Sequence, residues 1–387
     1  MAIYLDNNAC APLRPEAAAT IARFVAEANG NPSSVHRAGQ RARRMLERAR
    51  TQVASLLGAQ PKQIVFTSGG TESNNFAIFG AITATTDRRK VISSEIEHSS
   101  ILTPLKELER RGFEIVRIAP DCDGRIDPTR IIAALDQNTA LVTLGLANSE
   151  VGTIQDLTPL ARELRDAGAL FHIDAAQAAG RIPIDVDGLG CDLMTISGHK
   201  LGAPAGIGAL YIRDAARVAP LILGGPQENG LRAGTPNLLG AIAFGAAADA
   251  ARAAMPTESA RIAALSATLY LRLCEAIPGL KLNGSASHRI PNTLNLTFPD
   301  VLGESMLIAL DLEGVEVSMG SACAAGAVEP SHVLLAMGRS AADARSSLRI
   351  SLGWNNTADE IEQVAQIIPR VWRRVAAAEP VQEARIA

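Results

Sequence analysis

Short apolar segments rich in valine and isoleucine alternate with longer segments of helical periodicity over the first two thirds of the chain. Seven short segments predict β-strands, at Ile64–Thr67, Val91–Ser93, Glu114–Ile118, Ala140–Leu146, Leu170–Ile173, Leu193–Ile196 and Gly208–Ile212. Helices are predicted between the earlier strands, at Glu72–Ala84, Ser99–Arg111, Pro128–Leu135 and Leu157–Ala167. The strands lack polar alternation, which is typical of a sheet buried on both faces. The pattern therefore predicts an α/β fold with a mostly parallel seven-stranded sheet covered by helices.

The pattern changes after about residue 235, where two long alanine-rich helices are predicted at Pro236–Ala254 and Glu258–Ala276. Further strands and helices are predicted after them, at Thr293–Thr297, Glu304–Leu312, Val315–Ser318, Leu348–Ser351 and Ala358–Ala376. We therefore predict a large domain over residues 15–250. A smaller α+β domain is predicted over residues 251–387, together with the N-terminal segment 1–14.

Composition narrows the classes of function. The 387 residues contain 37 Lys and Arg against 40 Asp and Glu, a net charge of −3, which argues against nucleic-acid or membrane-surface binding by bulk positive charge. The basic stretch Arg37–Arg50 has its charges at helical spacing and predicts the solvated face of an amphipathic helix. The N-terminal residues lack signal-peptide features, and the apolar stretch Leu238–Ala248 is shorter than a membrane span. We expect a cytoplasmic protein.

The five cysteines are odd in number and widely spaced, without a Cys-x-x-Cys pair. This argues against a disulfide framework and against a zinc site, and no metal site is predicted. Cys10, Cys191 and Cys274 are predicted to be small packed residues, whereas Cys122, between two aspartates, is predicted to be exposed.

Candidate chemistry is concentrated in loops that follow the predicted strands, where open α/β sheets bind ligands. The segment Thr67–Asn75 lies between a strand and a helix and contains two glycines, with Thr71 as the predicted helix N-cap. Backbone amides at such a helix start can hold a phosphate. The segment lacks the Gly-Lys-Ser/Thr ending of a Walker P-loop.

Three further side chains each have a structural and a chemical interpretation. Asp174, at the end of an apolar strand, is either a helix N-cap or the counter-ion of a protonated heterocycle such as a pyridinium. Lys200 is either a solvated charge or a desolvated amine that forms a Schiff base. His98 is either a packed core residue or a proton carrier. Together with an anion cradle, these groups are the parts of a pyridoxal-phosphate site.

Motifs from end to end of the chain support this combination. They lie at Tyr4–Ala9, Gly30–His36, Thr67–Asn75, Glu97–His98, His172–Gln177, Ser197–Lys200, Gly224–Glu228, Arg232–Thr235, Gly320–Cys323, Glu329–Leu334 and Leu348–Gly353. In these motifs and their order the chain resembles the cysteine desulfurases of the NifS/IscS type. These enzymes belong to the class V aminotransferase group of fold-type I pyridoxal-phosphate enzymes.

The resemblance implies a role for each cofactor contact. Lys200 would hold pyridoxal 5'-phosphate covalently, Asp174 would pair with the pyridine N–H, and Gln177 would hydrogen-bond the phenolic oxygen. His98 would stack on the ring and assist proton transfer. The phosphate ligands would be Gly70, Thr71, Ser197, His199 and Thr235. Because Thr235 would come from the other subunit, the resemblance also implies a homodimer.

The resemblance further implies a reaction on L-cysteine. Arg349 would clamp the substrate carboxylate, and Asn8 and Ser149 would lie near the substrate, Ser149 being shorter than the family's asparagine. Cys323 lies in a small-residue loop of the smaller domain, a setting suited to a mobile nucleophile. It would take the sulfur as a persulfide, release L-alanine, and pass the sulfur to an acceptor protein. That acceptor would be an iron–sulfur scaffold or a sulfur relay protein for thiolation.

Two alternatives stay open. A selenocysteine lyase, or another β-eliminating enzyme of the same group, would keep the cofactor but would need no protein thiol, so Cys323 favours a desulfurase. A non-enzymatic descendant that binds partners is conceivable because of Ser149 and Ala205. Lys200, Asp174, His98 and Arg349 argue together against that interpretation.

Overall fold

The computed structural model of the protein describes residues 2–27, 30–85, 87–319 and 329–378. Its helices are α1 Pro15–Glu27, α2 Arg37–Leu57, α3 Gly70–Ala84, α4 Ser99–Arg110, α5 Pro128–Ala134, α6 Leu160–Ala167, α7 Val186–Leu189, α8 Leu238–Ala276, α9 Gly303–Leu312, α10 His332–Ala336, α11 Ala341–Arg345 and α12 Ala358–Ala378. Its strands are β1 Ile3–Tyr4, β2 Ile64–Thr67, β3 Lys90–Ser94, β4 Glu114–Ile118, β5 Thr139–Gly145, β6 Leu170–Asp174, β7 Leu193–Ser197, β8 Gly208–Ile212, β9 Lys281–Asn283, β10 Thr293–Thr297, β11 Val315–Glu316 and β12 Ser347–Ser351.

The largest sheet has seven strands in the order β2-β8-β7-β6-β5-β3-β4. Strand β8 runs antiparallel to both of its neighbours, and the remaining neighbouring pairs are parallel. Successive side chains pack into different cores: Leu141 packs with residues of α3 and α4, and Val142 packs with residues of α2 and α8. A sheet covered in this way is mostly apolar on both faces, and the predicted α/β fold is confirmed.

Two smaller sheets lie against α9 and α12. One is antiparallel, in the order β12-β10-β9, and the other pairs β1 with β11 in parallel. Their core contains Leu294, Phe298, Met306 and Ile350. The pairing of β1 with β11 brings the N-terminal segment to this part of the chain, while the predicted domain boundaries stay a prediction.

The two predicted alanine-rich helices are one helix, α8, of 39 residues. The prediction of two helices was wrong because the helix continues through residues 255–257, including Pro256. Pro256 is exposed, so the carbonyl that loses its hydrogen bond can be solvated. Residues at the start of α8, such as Phe244, pack into the core of the large sheet, and Leu269 packs into the second core. Within the described ranges, α8 is also the one helix long and apolar enough to cross a membrane, although it packs as a core helix.

Candidate active site

A cavity of about 800 Å³ opens at the carboxyl ends of the parallel strands. We call it the main cavity. The predicted site residues that line it are Asn8, Gly70, Thr71, His98, Ser149, Asp174, Gln177, Ser197, His199, Lys200 and Arg349. Thr235 is exposed and is not among the lining residues. Cys323 lies outside the described residues.

The start of α3 forms one end of the main cavity. Gly69 precedes the helix with φ of 156°, and a Cβ on Gly208 would lie 2.7 Å from its backbone, so glycine at position 208 is required for this close approach. The free amides of the first helical turn lie beside Ser197, whose Oγ is 3.0 Å from His199 Nδ1. Thr71 lies inside the first turn, so its prediction as the N-cap was wrong: Gly69 is the residue before the helix.

Asp174 ends β6, and no helix follows it directly, so it is not a helix N-cap. Its Oδ1 accepts a hydrogen bond from the Ala176 amide at 2.9 Å, and its Oδ2 accepts one from Asn74 Nδ2 at 2.8 Å. These two donors are uncharged and hold the carboxylate at the cavity wall. Asp174 is therefore suited to pair with a cation that a ligand supplies.

Lys200 ends a single turn of 3₁₀-helix, Gly198–Lys200, directly after β7. The pKa of Lys200 is lowered to about 8, chiefly by burial and also by the positive charges of Arg181 and Arg349, against the opposing effect of Asp174. A pKa near neutrality gives a larger fraction of unprotonated amine than an exposed lysine has. The Lys200 amine is thus prepared to act as a nucleophile toward an aldehyde.

His98 is the N-cap of α4. Its Nδ1 accepts a hydrogen bond from the Ser100 amide at 3.1 Å and lies 2.7 Å from Ser100 Oγ. In the neutral ring the proton is therefore on Nε2. Burial lowers the pKa of His98, as does the charge of Lys200. Asn74 donates to Ser100 Oγ at 2.8 Å as well as to Asp174, so one chain of hydrogen bonds joins the carboxylate to the histidine.

Arg349, on β12, lies at the other end of the main cavity. Its Nη2 is 2.6 Å from Asp6 Oδ1, and its Nη1 donates to the Ser149 carbonyl at 3.1 Å. Its buried Nε has no partner among the described residues. Asn8 Nδ2 donates to the same Ser149 carbonyl at 3.1 Å, so the backbone of Ser149, rather than its hydroxyl, supplies these contacts.

No role was predicted from sequence for three polar residues of this site. Asp6 lies within the first motif and Asn74 within the glycine-rich one, but neither position could be linked to its partner from sequence. Glu97 lines the main cavity and accepts hydrogen bonds from Ser94 Oγ at 2.5 Å and the Gly145 amide at 2.8 Å. Burial raises the pKa of Glu97 to about 8.

The burial predicted for the other four cysteines is correct for some of them and wrong for others. Cys122 is exposed and Cys191 is buried, as predicted. Cys10 is exposed and Cys274 is only half-buried, so their prediction as packed residues was wrong for Cys10 and only partly right for Cys274. A free cysteine is usually a small buried residue, but the turn that follows Asp6 brings Cys10 to the surface. Within the described ranges no cluster of His, Cys, Asp and Glu could hold a metal ion.

Comparison with known proteins agrees with this geometry. A model of the aminotransferase class-V family matches residues 3–364. The chain belongs to this family. It is 41% identical over 382 residues to the cysteine desulfurase IscS of Dictyoglomus turgidum, covering 98% of this chain and 97% of the relative. It is 42% identical over 378 residues to cysteine desulfurase 2 of Trichormus variabilis, covering 98% and 95%.

Solved structures resemble this class-V chain closely. A NifS-like protein superposes with a TM-score of 0.90 at 32% identity, covering 97% of this chain and 100% of that chain. The NifS-like protein of Rickettsia africae superposes with a TM-score of 0.85 at 31% identity, covering 96% and 100%. These matches confirm the predicted family resemblance.

The class-V family depends on pyridoxal phosphate, and the main cavity fits this cofactor. The amides of Gly70 and Thr71 with Ser197 and His199 would hold the phosphate. The carboxylate of Asp174, held only by uncharged donors, suits a protonated ring nitrogen. Lys200, with its lowered pKa, suits attachment of the aldehyde carbon.

Proposed function

We propose that the protein is a pyridoxal-phosphate-dependent cysteine desulfurase. It would convert L-cysteine to L-alanine and leave the sulfur as a persulfide on Cys323. The main support is that one cavity contains Lys200, Asp174 and the buried guanidinium of Arg349, a set that binds both the cofactor and an amino-acid carboxylate. The names of the two relatives reported above support the same reaction.

In the proposed reaction each site residue has a separate role. The bound cofactor supplies an electron sink for the amino acid attached to it. Arg349 binds and orients the α-carboxylate. Lys200 Nζ gains and loses a proton near neutral pH, as its pKa of about 8 requires, and His98 Nε2 is a second site for proton transfer. Asp174 keeps the ring nitrogen protonated.

Cys323 is proposed as the sulfur carrier. Its thiolate attacks the substrate sulfur, an S–S bond forms and the carbon–sulfur bond breaks. The electron pair of the broken bond goes to the substrate carbon, which then takes up a proton to give alanine. An acceptor protein, of the iron–sulfur scaffold or sulfur-relay class, would then remove the persulfide sulfur. We also infer a cytoplasmic location, where reducing conditions suit such a cycle.

Mass spectrometry after incubation with L-cysteine tests this function. We expect one added sulfur on the peptide that contains Cys323, with alanine formed in parallel. Cys323→Ala should abolish both, whereas the control Cys122→Ala, which changes an exposed cysteine without a proposed role, should change neither. A Cys323→Ala protein that releases sulfide at the wild-type rate would show a β-eliminating enzyme instead. The same reaction on selenocysteine alone would indicate a selenocysteine lyase.

We further propose a homodimer in which Thr235 serves the site of the other subunit. Arg232, three residues before Thr235, pairs with Glu72 at 2.9 Å, and Glu72 lines the main cavity. The backbone of Ile222 forms a parallel β-bridge with that of Arg232, and Leu223, the next residue, is 81% exposed. The segment that carries Thr235 is thus attached to the cavity rim and exposes apolar surface, which favours coverage by a second copy.

Mixed dimers test the homodimer proposal. Sedimentation should give a dimer, and Lys200→Ala and Thr235→Ala proteins should each bind cofactor weakly when pure. Dissociating and reassociating them together should restore one intact site per mixed dimer, because one subunit supplies Lys200 and the other Thr235. A monomer, or a mixture no better than its components, would contradict the proposal.

A further inference from the structure

A second cavity, of about 40 Å³, lies beside the main cavity, and we call it the small cavity. Lys200 lines both cavities, whereas Arg181 lines only the small one. Lys200 therefore stands at the boundary between the ligand site and the region that contains Arg181. This arginine has no role in the proposed reaction.

Among the described residues, the guanidinium of Arg181 is held by uncharged acceptors alone. Its Nη1 donates to the Gln177 carbonyl at 3.1 Å and to Gln177 Oε1, and its Nη2 donates to the Asn7 carbonyl at 2.9 Å. Arg14, which lines the same small cavity, is instead paired with Glu258 through contacts of 2.9 and 3.1 Å. Of these two arginines, Arg181 thus brings a charge without a carboxylate to balance it.

These contacts also fix the side-chain amide of Gln177. Its Oε1 faces Arg181, which can only donate, and its Nε2 donates to the Asn8 carbonyl at 3.0 Å, which can only accept. A flipped amide would oppose donor to donor and acceptor to acceptor. The second N–H of Nε2 is then left for the main cavity, which Gln177 lines.

We propose that Arg181 is a positioning residue of the cofactor site. It fixes the Gln177 amide with an N–H available to the main cavity, and it places an uncompensated positive charge beside Lys200. The charge of Arg181 contributes to the lowered pKa of Lys200. The inference rests on the proposed function only in that the main cavity binds pyridoxal phosphate, and its test uses no cysteine.

The effect of the charge can be measured on cofactor-free protein by labelling with acetic anhydride across a pH series. Labelling of Lys200 is quantified by mass spectrometry against the exposed Lys62, since only the neutral amine reacts. We expect Arg181→Met to raise the pH midpoint of Lys200 by about one unit, and Arg181→Lys, which keeps the charge, to leave it near the wild-type value.

A matched control is the double variant Arg14→Met with Glu258→Gln. It makes the same arginine-to-methionine change in the small cavity without altering net charge, and should leave the Lys200 midpoint unchanged. An unchanged midpoint in Arg181→Met, or an equal shift in the control, would refute the electrostatic part of the proposal.

The effect on Gln177 is measured as the ratio of affinities for pyridoxal 5'-phosphate and its 3-deoxy analogue, which lacks the phenolic oxygen. We expect this ratio to fall about fivefold in Arg181→Lys and in Arg181→Met, since one hydrogen bond is lost. If both ligands weaken equally, Arg181 is merely structural. A wild-type protein that binds cofactor but leaves cysteine unchanged would overturn the proposed function without affecting these measurements.

Discussion

At the sheet end of the main cavity the functional side chains follow directly on parallel strands, whereas at the opposite end they come from two smaller sheets. Asp174 is the last residue of β6, and Lys200 ends the turn after β7. Arg349 and Asp6 are 343 residues apart in sequence and meet because the N-terminal segment follows β1 toward β12. The position of the side chains at the sheet end thus follows from the order of the strands. At the other end it depends on contacts between segments that are far apart in sequence.

The two ends also differ in charge. At the sheet end, the hydrogen-bond donors to Asp174 within the described part of the chain are uncharged, so its charge is left for a ligand. At the other end, Arg349 already has a carboxylate partner in Asp6, and a substrate carboxylate must share or replace that partner. The sheet end can therefore bind a cofactor with little rearrangement. At the substrate end, the charge of Arg349 is neutralised by Asp6 until a substrate carboxylate binds.

Removing Lys200 should give the largest effect at the sheet end. Lys200→Met eliminates the nucleophilic amine, and we expect cysteine turnover to fall by at least about a thousandfold. The absorption band of the covalently held cofactor should also be lost. Lys62→Met, at an exposed lysine, serves as the control, and substantial turnover by Lys200→Met would contradict the assigned role.

Removing the charge at the substrate end should act mainly on KM. Arg349→Gln deletes the guanidinium, and we expect the KM for L-cysteine to rise about a hundredfold, the magnitude typical of a buried charge-assisted pair. Cofactor binding should change little, because the cofactor contacts lie at the sheet end. Arg370→Gln is an exposed control of the same type. A variant with unchanged KM would show that the carboxylate binds elsewhere.

The pH dependence of cofactor uptake tests the lowered pKa of Lys200 at the sheet end without involving the substrate end. Because the pKa of Lys200 is lowered to about 8, the neutral fraction rises about tenfold per pH unit below that value and levels off above it. We expect the rate of covalent cofactor uptake by cofactor-free protein to follow this curve, measured by stopped-flow absorbance. A rate that keeps rising to about pH 10, as for an exposed lysine, would argue against the lowered pKa.

Substitution of Asp6 should change the kinetics least. It tests whether Asp6 competes with the substrate carboxylate for Arg349 or helps to bind it. Asp6→Asn removes the charge that competes with the substrate for Arg349 but also loosens the guanidinium. We therefore expect kcat to fall about fivefold while KM stays the same or decreases. A large rise in KM would mean that Asp6 assists substrate binding rather than competing with it.

The sheet end could be predicted from sequence because an apolar strand followed by Asp174 or Lys200 is a local signal. Asn74 lies 100 residues before Asp174 in sequence, and its hydrogen bond to that carboxylate depends on how α3 packs on the sheet. The pair of Asp6 with Arg349 left no local signal, since neither position reveals its partner. The two alanine-rich helices predicted on either side of residues 255–257 are one helix, because solvent exposure lets it continue through Pro256.

Helix α8 makes the two hydrophobic cores thermodynamically interdependent. At about 1.5 Å per residue its 39 residues extend over about 58 Å, so one helix, with a single backbone hydrogen bond missing at Pro256, runs from the first core to the second. Helix formation is cooperative, so loss of packing around Leu269 weakens the same helix that supports Phe244. A substitution deep in the smaller core therefore reduces the stability of the cofactor-binding sheet, although it touches none of its strands.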